Sequence, residues 1–177
     1  MIDLTYPINE SLKTYPGDPK VVLKQIAHLK EDGYNDYLLT INMHTGTHID
    51  GINHMRIAPL ISEIPLERFI GVGRLIDEDF SYDNEEVLIV NTNKHLTEAF
   101  VDKISSYPLK FIVVPINSID AHPYELHQKL FEKGIMIVEN AYNLEALQKG
   151  ELYKIYAIPL NIEADSSLIR LFAKSLK

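Results

Sequence analysis

The chain has 177 residues, 46% of them apolar and 24% charged, with a formal net charge of −8. That composition is ordinary for a soluble globular protein long enough to bury a core, and the length predicts one domain spanning 1–177. The acidic excess argues against nucleic acid and anionic membranes as partners, because no basic face is available to neutralise phosphates. Cysteine is absent, so disulfides, thiolate metal sites and a cysteine nucleophile are excluded. The start, Met1 to Pro7, has neither a basic nor an apolar leader segment, and no apolar run approaches the roughly 18 residues that span a bilayer. The expected location is cytoplasmic.

In chain order, residues 2–8 alternate and predict a first strand closed at Pro7. Tyr15-Pro16-Gly17-Asp18-Pro19 is a turn cluster. Val21 to Leu29 reads as a strand, Glu31-Asp32-Gly33 as a turn, and Tyr37 to Met43 as a third strand leading into His44. Three early strands with tight turns suggest an antiparallel or mixed sheet. Residues 62–67 hold a short helical turn, and Gly71 to Ile76 and Val87 to Asn91 read as strands separated by a solvated acidic loop, Asp77 to Glu86.

Leu96 to Ser105 has helical spacing, with Leu96, Phe100, Val101 and Ile104 on one stripe. Phe111 to Ile116 is nearly continuous in apolar residues, the mark of a strand covered on both faces. A helix follows from about Tyr124 to Lys133, with Pro123 in its first turn and Gly134 as its stop. Ile135 to Val138 returns as a buried strand with Glu139 at its carboxyl end. Asn143 to Gln148 is a short helix, and the stretches 152–162 and 168–173 close the sheet. Strands first, then strands mixed with helices, indicate one α/β domain.

Within this frame, His44-Thr45-Gly46-Thr47-His48-Ile49-Asp50-Gly51-Ile52-Asn53-His54 places three of the chain's seven histidines and one carboxylate together. Gly46 and the β-branched Thr45, Thr47 and Ile49 disfavour a helix. In an extended segment His48 and Asp50 share a face, and Gly46 lets the backbone fold so that His44 joins them. Two imidazoles and a carboxylate suit Zn²⁺ or a similar divalent ion with positions left open. His54 then lies near the ion without binding it, where a proton-transfer group belongs.

His127 falls on the helix stripe of Tyr124, Leu130 and Phe131. Glu139 ends the strand that returns from Gly134, so the two can meet. A buried carboxylate needs a cationic partner, and with Asp50 shared between ions these residues complete a second metal position. His28, His95 and His122 read as surface or capping residues, and Asp165 either as a carboxylate that supports the site's residues from behind or, the preferred reading, as a turn carboxylate.

His44-Thr-Gly-Thr-His48-Ile-Asp50 with His54 resembles the HxGTHxDxPxH signature of the cyclase-like metal hydrolases, the family of bacterial kynurenine formamidase and isatin hydrolase. Asp3-Leu4-Thr5, Tyr15 to Pro19, Ser118-Ile119-Asp120, Gly134 to Asn140 with Asn143-Leu144, and Ile158 through Arg170 resemble its further segments. The resemblance implies a single-domain swivelling β/β/α fold with a mixed sheet, assembled as a homodimer or homotetramer. It implies one ion on His44, His48 and Asp50, a second on Asp50, His127 and Glu139, and His54 as acid/base. The family's proline after the aspartate is Ile52 here, the segment 92–95 is short, the closing glycine and proline are Ser166 and Leu168, and tryptophan is absent.

The expected function is hydrolysis of a small non-peptide amide, N-formyl or cyclic, by metal-activated water. Zinc is the expected metal, with manganese as the alternative and one or two ions per chain. The rival readings are a non-catalytic metal- or small-ligand-binding module, and a lactonase or cyclase of the same fold.

Overall fold

The computed structural model describes residues 1–77 and 79–177. Its strands are β1 (Ile2–Asp3), β2 (Val22–Ala27), β3 (Asp36–Thr40), β4 (His48–Asp50), β5 (Ile70–Ile76), β6 (Val87–Val90), β7 (Phe111–Val113), β8 (Met136–Glu139), β9 (Tyr153–Pro159) and β10 (Ser166–Ser175). The helices are α1 (Leu29–Asp32), α2 (Glu98–Ile104) and α3 (Glu125–Glu132), with short 3₁₀ turns between strands. Among the described residues no helix is long and apolar enough to cross a membrane.

The main sheet is mixed and runs β1-β10-β4-β8-β7-β6-β5-β9, with β9 also pairing with β10. Strand β10 is long enough to serve two neighbours. Ser166 to Leu168 pair with β4, and Ile169 to Ser175 pair with β9. The sheet therefore curls into a barrel-like closure. Strands β5 to β8 run parallel, and the strands that complete the circle are antiparallel.

The continuous apolar run in β6 follows from burial on both faces. Val87 and Ile89 point into the barrel with Phe111, Val113, Met136 and Val138. Leu88 and Val90 point outward with Ile112 and Ile137, beneath Phe100, Val101 and Ile104 of α2 and Leu130 and Phe131 of α3. Alternation along each strand thus divides the apolar residues between two cores. Thr97 caps α2, its Oγ1 accepting from the Phe100 amide at 3.2 Å.

Some boundaries differ from the sequence expectation. The first strand is only Ile2–Asp3, with Thr5 bridging to Ala141. β2 and β3 form a separate two-stranded ribbon instead of joining the main sheet. Tyr124 takes a left-handed conformation at φ 62°, so α3 begins at Glu125 and Pro123 lies before it. The acidic loop 77–86, of which position 78 lies outside the described residues, is not uniformly solvated. Glu85 is 2% exposed, and its Oε1 sits 2.6 Å from Nη2 of Arg74. Tyr82 stacks on Tyr107 at 3.9 Å between ring centroids, so aromatic packing draws the loop inward.

Candidate metal centre and active site

The turn entering β4 is built by the motif itself. The His44 amide donates to Oδ1 of Asn42 at 2.8 Å, and the Thr45 amide donates to the Asn42 carbonyl at 3.0 Å. Gly46 sits at φ +72°, and a Cβ there would stand 2.9 Å from the Leu12 side chain. Thr47 then anchors the turn, donating to the Asn140 carbonyl at 2.7 Å and accepting from the Tyr6 amide at 2.9 Å. β4 follows with all three of its residues buried.

Register decides what β4 meets. His48 pairs across from Glu139 of β8, and Asp50 pairs across from Ser166 of β10. His48 and Asp50 point to one side, as their spacing predicts, and the loop brings His44 back to them. The His44 Nδ1 is 2.9 Å from Asp50 Oδ1, and the His48 Nε2 is 3.4 Å from the same oxygen. Glu139 Oε2 lies 3.7 Å from His48 Nε2.

The hydrogen-bonding of His48 fixes the chemistry of its other nitrogen. Its Nδ1–H donates to the Gly46 carbonyl at 2.8 Å, which turns the Nε2 lone pair toward the Asp50 carboxylate. Two acceptors therefore face each other in a buried site. His48 Nε2 and Asp50 Oδ1 both lack a hydrogen bond of proper geometry. Burial alone would lower the His48 pKa, but Asp50 and Glu139 beside it push it up to about 9. The same contact holds the Asp50 carboxyl far below the usual carboxylate range against the opposing effect of burial.

His127 repeats the pattern on α3. Asp120 Oδ1 accepts from its Nδ1–H at 2.5 Å, and its Nε2 faces Glu139 Oε1 at 3.2 Å. Burial opposes the charged imidazole, but Asp120 and Glu139 raise its pKa to about 9. Asp120 is itself fixed, its Oδ2 accepting from the Leu126 amide at 2.7 Å, while the Ile119 amide donates to Glu139 at 3.1 Å.

Side-chain donors of His44, His48 and Asp50 lie within 4.8 Å of one another, as do those of Asp50, His127 and Glu139. Asp50 belongs to both groups. The residues fit divalent cations on a structural ground. In the first group His48 Nε2 and Asp50 Oδ1 converge with no hydrogen-bond partner, and in both groups the N,O donors suit zinc or manganese.

His54 stands at the edge of this cluster, at the end of a 3₁₀ turn from Ile52 to His54. Its ring packs against His44 with centroids 4.4 Å apart. Its Nδ1 lies 2.6 Å from Asp165 Oδ2. That pairing holds the Asp165 pKa down, although partial burial acts the other way. A cavity of about 740 Å³ opens onto the centre, lined by His44, Asp50, His54, His127 and Glu139 and walled by aromatic residues including Tyr124. The remaining histidines, His28, His95 and His122, are exposed, as expected of surface residues.

Spacing arguments did not settle three participants. Asp165 pairs with His54, which favours the supporting-carboxylate reading over the free turn carboxylate. Asp120 holds His127, and Ser166 Oγ lies 2.9 Å from His44 Nε2. Only Asp120 had a local signal, since it lies seven residues before His127 at the head of the helix.

Comparison with known proteins agrees with this architecture. The family model described as Cyclase matches residues 2–114. The chain is 29% identical to a kynurenine formamidase of Bacillus cereus, over 96% of this chain and 94% of that protein. It is 27% identical to a kynurenine formamidase of Bacillus cytotoxicus, over 99% and 97%. Among solved structures, isatin hydrolase A from Labrenzia aggregata superimposes with a TM-score of 0.84 at 20% identity, covering 99% of this chain and 93% of that one. A protein from Bacillus stearothermophilus described as a predicted metal-dependent hydrolase superimposes with a TM-score of 0.82 at 21% identity, over 97% and 96%. With its fold shared by these structures and more than half its length matched by the family model, the chain belongs to the Cyclase family.

Proposed function

We propose that the protein is a metal-dependent hydrolase of small non-peptide amides, N-formyl or cyclic, in which His54 exchanges protons with the reacting groups. The observation that carries this reading is the convergence of unsatisfied His48 Nε2 and Asp50 Oδ1 next to a cavity that Asp50, His127, Glu139 and His54 line. The kinship with kynurenine formamidases supports the choice of a carbon–nitrogen bond. On this reading residues 1–177 act as one cytoplasmic domain, assembled as a homodimer or homotetramer.

His44, His48 and Asp50 would hold one divalent ion, zinc before manganese, and Asp50, His127 and Glu139 a second. Bound there, such a cation supplies Lewis acidity that acidifies water and polarises an amide carbonyl. The chain's own groups do the rest. Gly46 and Asp120 direct the Nε2 atoms of His48 and His127 inward by accepting from their Nδ1–H groups. The Ile119 amide steadies Glu139. His54, with Nδ1 engaged, presents Nε2 as the atom that takes a proton from water and returns it to the leaving nitrogen. The tyrosine-walled cavity limits water around the amide and positions its substituent.

The test is a screen of N-formyl and cyclic amides with protein purified without chelator, accompanied by metal analysis. Turnover that chelator abolishes and divalent metal restores is expected. A His54→Ala variant keeping its metal but losing at least about 100-fold in kcat is expected for a general acid/base. The reading fails if that variant turns over at the parent rate. The open cavity over the centre favours catalysis over a purely structural metal site, which closes with four protein ligands.

A further inference from the structure

We propose that Asp165 is a positioning residue, one carboxylate oxygen of which fixes the tautomer of His54 while bracing His44 from behind. This rests on the assignment of His54 as the acid/base group and deepens it.

The geometry is asymmetric in an informative way. Asp165 Oδ2 lies 2.6 Å from His54 Nδ1 and 3.4 Å from His44 Nε2. His44 directs its other nitrogen, Nδ1, toward Asp50. Its outward Nε2 lies 2.9 Å from the Ser166 hydroxyl oxygen, with the Asp165 carboxylate just beyond at 3.4 Å. Consecutive residues of β10 and its approach thus grip the backs of both imidazoles. The two rings pack against each other, so holding one constrains the other.

The carboxylate stands on fixed backbone. The Asp165 carbonyl accepts from the Gly51 amide at 2.9 Å, and Ser166 is paired with Asp50 in the β10–β4 ladder. Gly51 permits this approach, since a Cβ there would lie 2.7 Å from the Asp165 carbonyl oxygen. A turn carboxylate would swing freely in water, whereas this one is delivered by the same strand pairing that delivers Asp50.

The chemical consequence is specific. A carboxylate can only accept, so the short contact requires the proton of neutral His54 to sit on Nδ1. Nε2 then carries the lone pair, available at the cavity. Without Asp165 the imidazole samples both tautomers and rotates, and only part of the population presents a base. The arrangement follows the carboxylate–imidazole logic of acyl-transfer triads, where the carboxylate orients the imidazole and takes no proton itself.

The test reads the ring nitrogens directly. Long-range ¹⁵N–¹H correlation spectra of the zinc-loaded protein at alkaline pH should show His54 Nδ1 as a protonated nitrogen and Nε2 as a bare one. Asp165→Asn should mix the two forms and lower kcat by at least about 10-fold at saturating zinc, since only the fraction with a bare Nε2 can take the proton. KM should stay within about twofold, and Asp165→Glu should recover part of the rate and the parent tautomer. A bare Nδ1 on His54 in the parent protein overturns the proposal without recourse to any variant. So does an Asp165→Asn protein that keeps the parent kcat, or one that loses rate with the His54 spectrum unchanged. A failed acid/base role for His54 would appear instead as full activity of His54→Ala beside an intact parent spectrum.

Discussion

His48 Nε2 lies 3.4 Å from Asp50 Oδ1, and neither atom completes a hydrogen bond of proper geometry although both are buried. A lone pair facing a carboxylate is stable only with a positive charge between or upon them, either a proton or a metal ion. The choice between the two sets the pH behaviour of the protein.

Without metal, His48 and His127 are each raised from 6.5 to about 9. A pKa raised on folding contributes stability that is complete below pH 6.5 and is lost as pH climbs through about 9. The chelated protein should therefore lose thermal stability between these limits, while the zinc-loaded protein, whose ligands are already deprotonated, should not. Zinc uptake at pH 7.5 should release about two protons per chain when both positions fill. Calorimetry in buffers of differing ionisation enthalpy measures the number. Release of none would mean that these imidazoles are neutral in the metal-free chain.

Metal stoichiometry separates the two halves of the centre. Asp50 belongs to both donor groups, so Asp50→Ala should abolish binding at both positions. His127→Ala should remove only the position it shares with Glu139. Asp120→Asn keeps every ligand but loosens His127, so chelator competition should show about 10–100-fold weaker binding of the second ion alone. Elemental analysis after gel filtration reads the first two variants. Unchanged metal content in His127→Ala would remove that histidine from the ligand set.

Gly51→Ala introduces a Cβ 2.7 Å from the Asp165 carbonyl and 3.1 Å from the Ile61 side chain. The Ile61 methyl can turn aside, but the Asp165 carbonyl is held by the Gly51 amide, so a loss of about 1–3 kcal/mol is expected. Activity should fall further than stability alone explains, because the displaced strand carries Asp165 and Ser166. Urea unfolding beside kcat at full folding distinguishes the two effects.

Glu85 gives a stability prediction remote from the cavity. Its side chain is fully buried against Arg74, which is 22% exposed. Glu85→Ala leaves the guanidinium partly desolvated and unpaired, at a cost of about 2–3 kcal/mol. Urea midpoints should drop with no change in turnover by the folded fraction. A shift under about 0.5 kcal/mol, typical of surface substitutions, would mean that water already screens the pair.

Much of the centre was legible because its residues are local or periodic. His48 and Asp50 are two apart in an extended segment, so the pleat alone puts them on one side. Leu130 and Phe131 mark the buried face of α3, and His127 shares it by helical spacing. The parallel strands showed in their apolar continuity, which needs no knowledge of partners. The acidic loop misled for the opposite reason. Charge composition predicts solvation, but Glu85 finds Arg74 and Tyr82 finds Tyr107 only through the tertiary fold.

By itself, then, the chain of residues dictated the local chemistry: which side chains carry metal-seeking atoms, which face of each element they occupy, and that an α/β frame surrounds them. What only folding in three dimensions decided was partnership at long range. The β4–β8 register sets His48 opposite Glu139, and the β10–β4 register brings Asp165 to His54, 111 residues away in sequence. Alternation and helical pitch are properties of neighbouring residues, whereas strand order and register depend on how the whole sheet closes, which no short window of sequence contains.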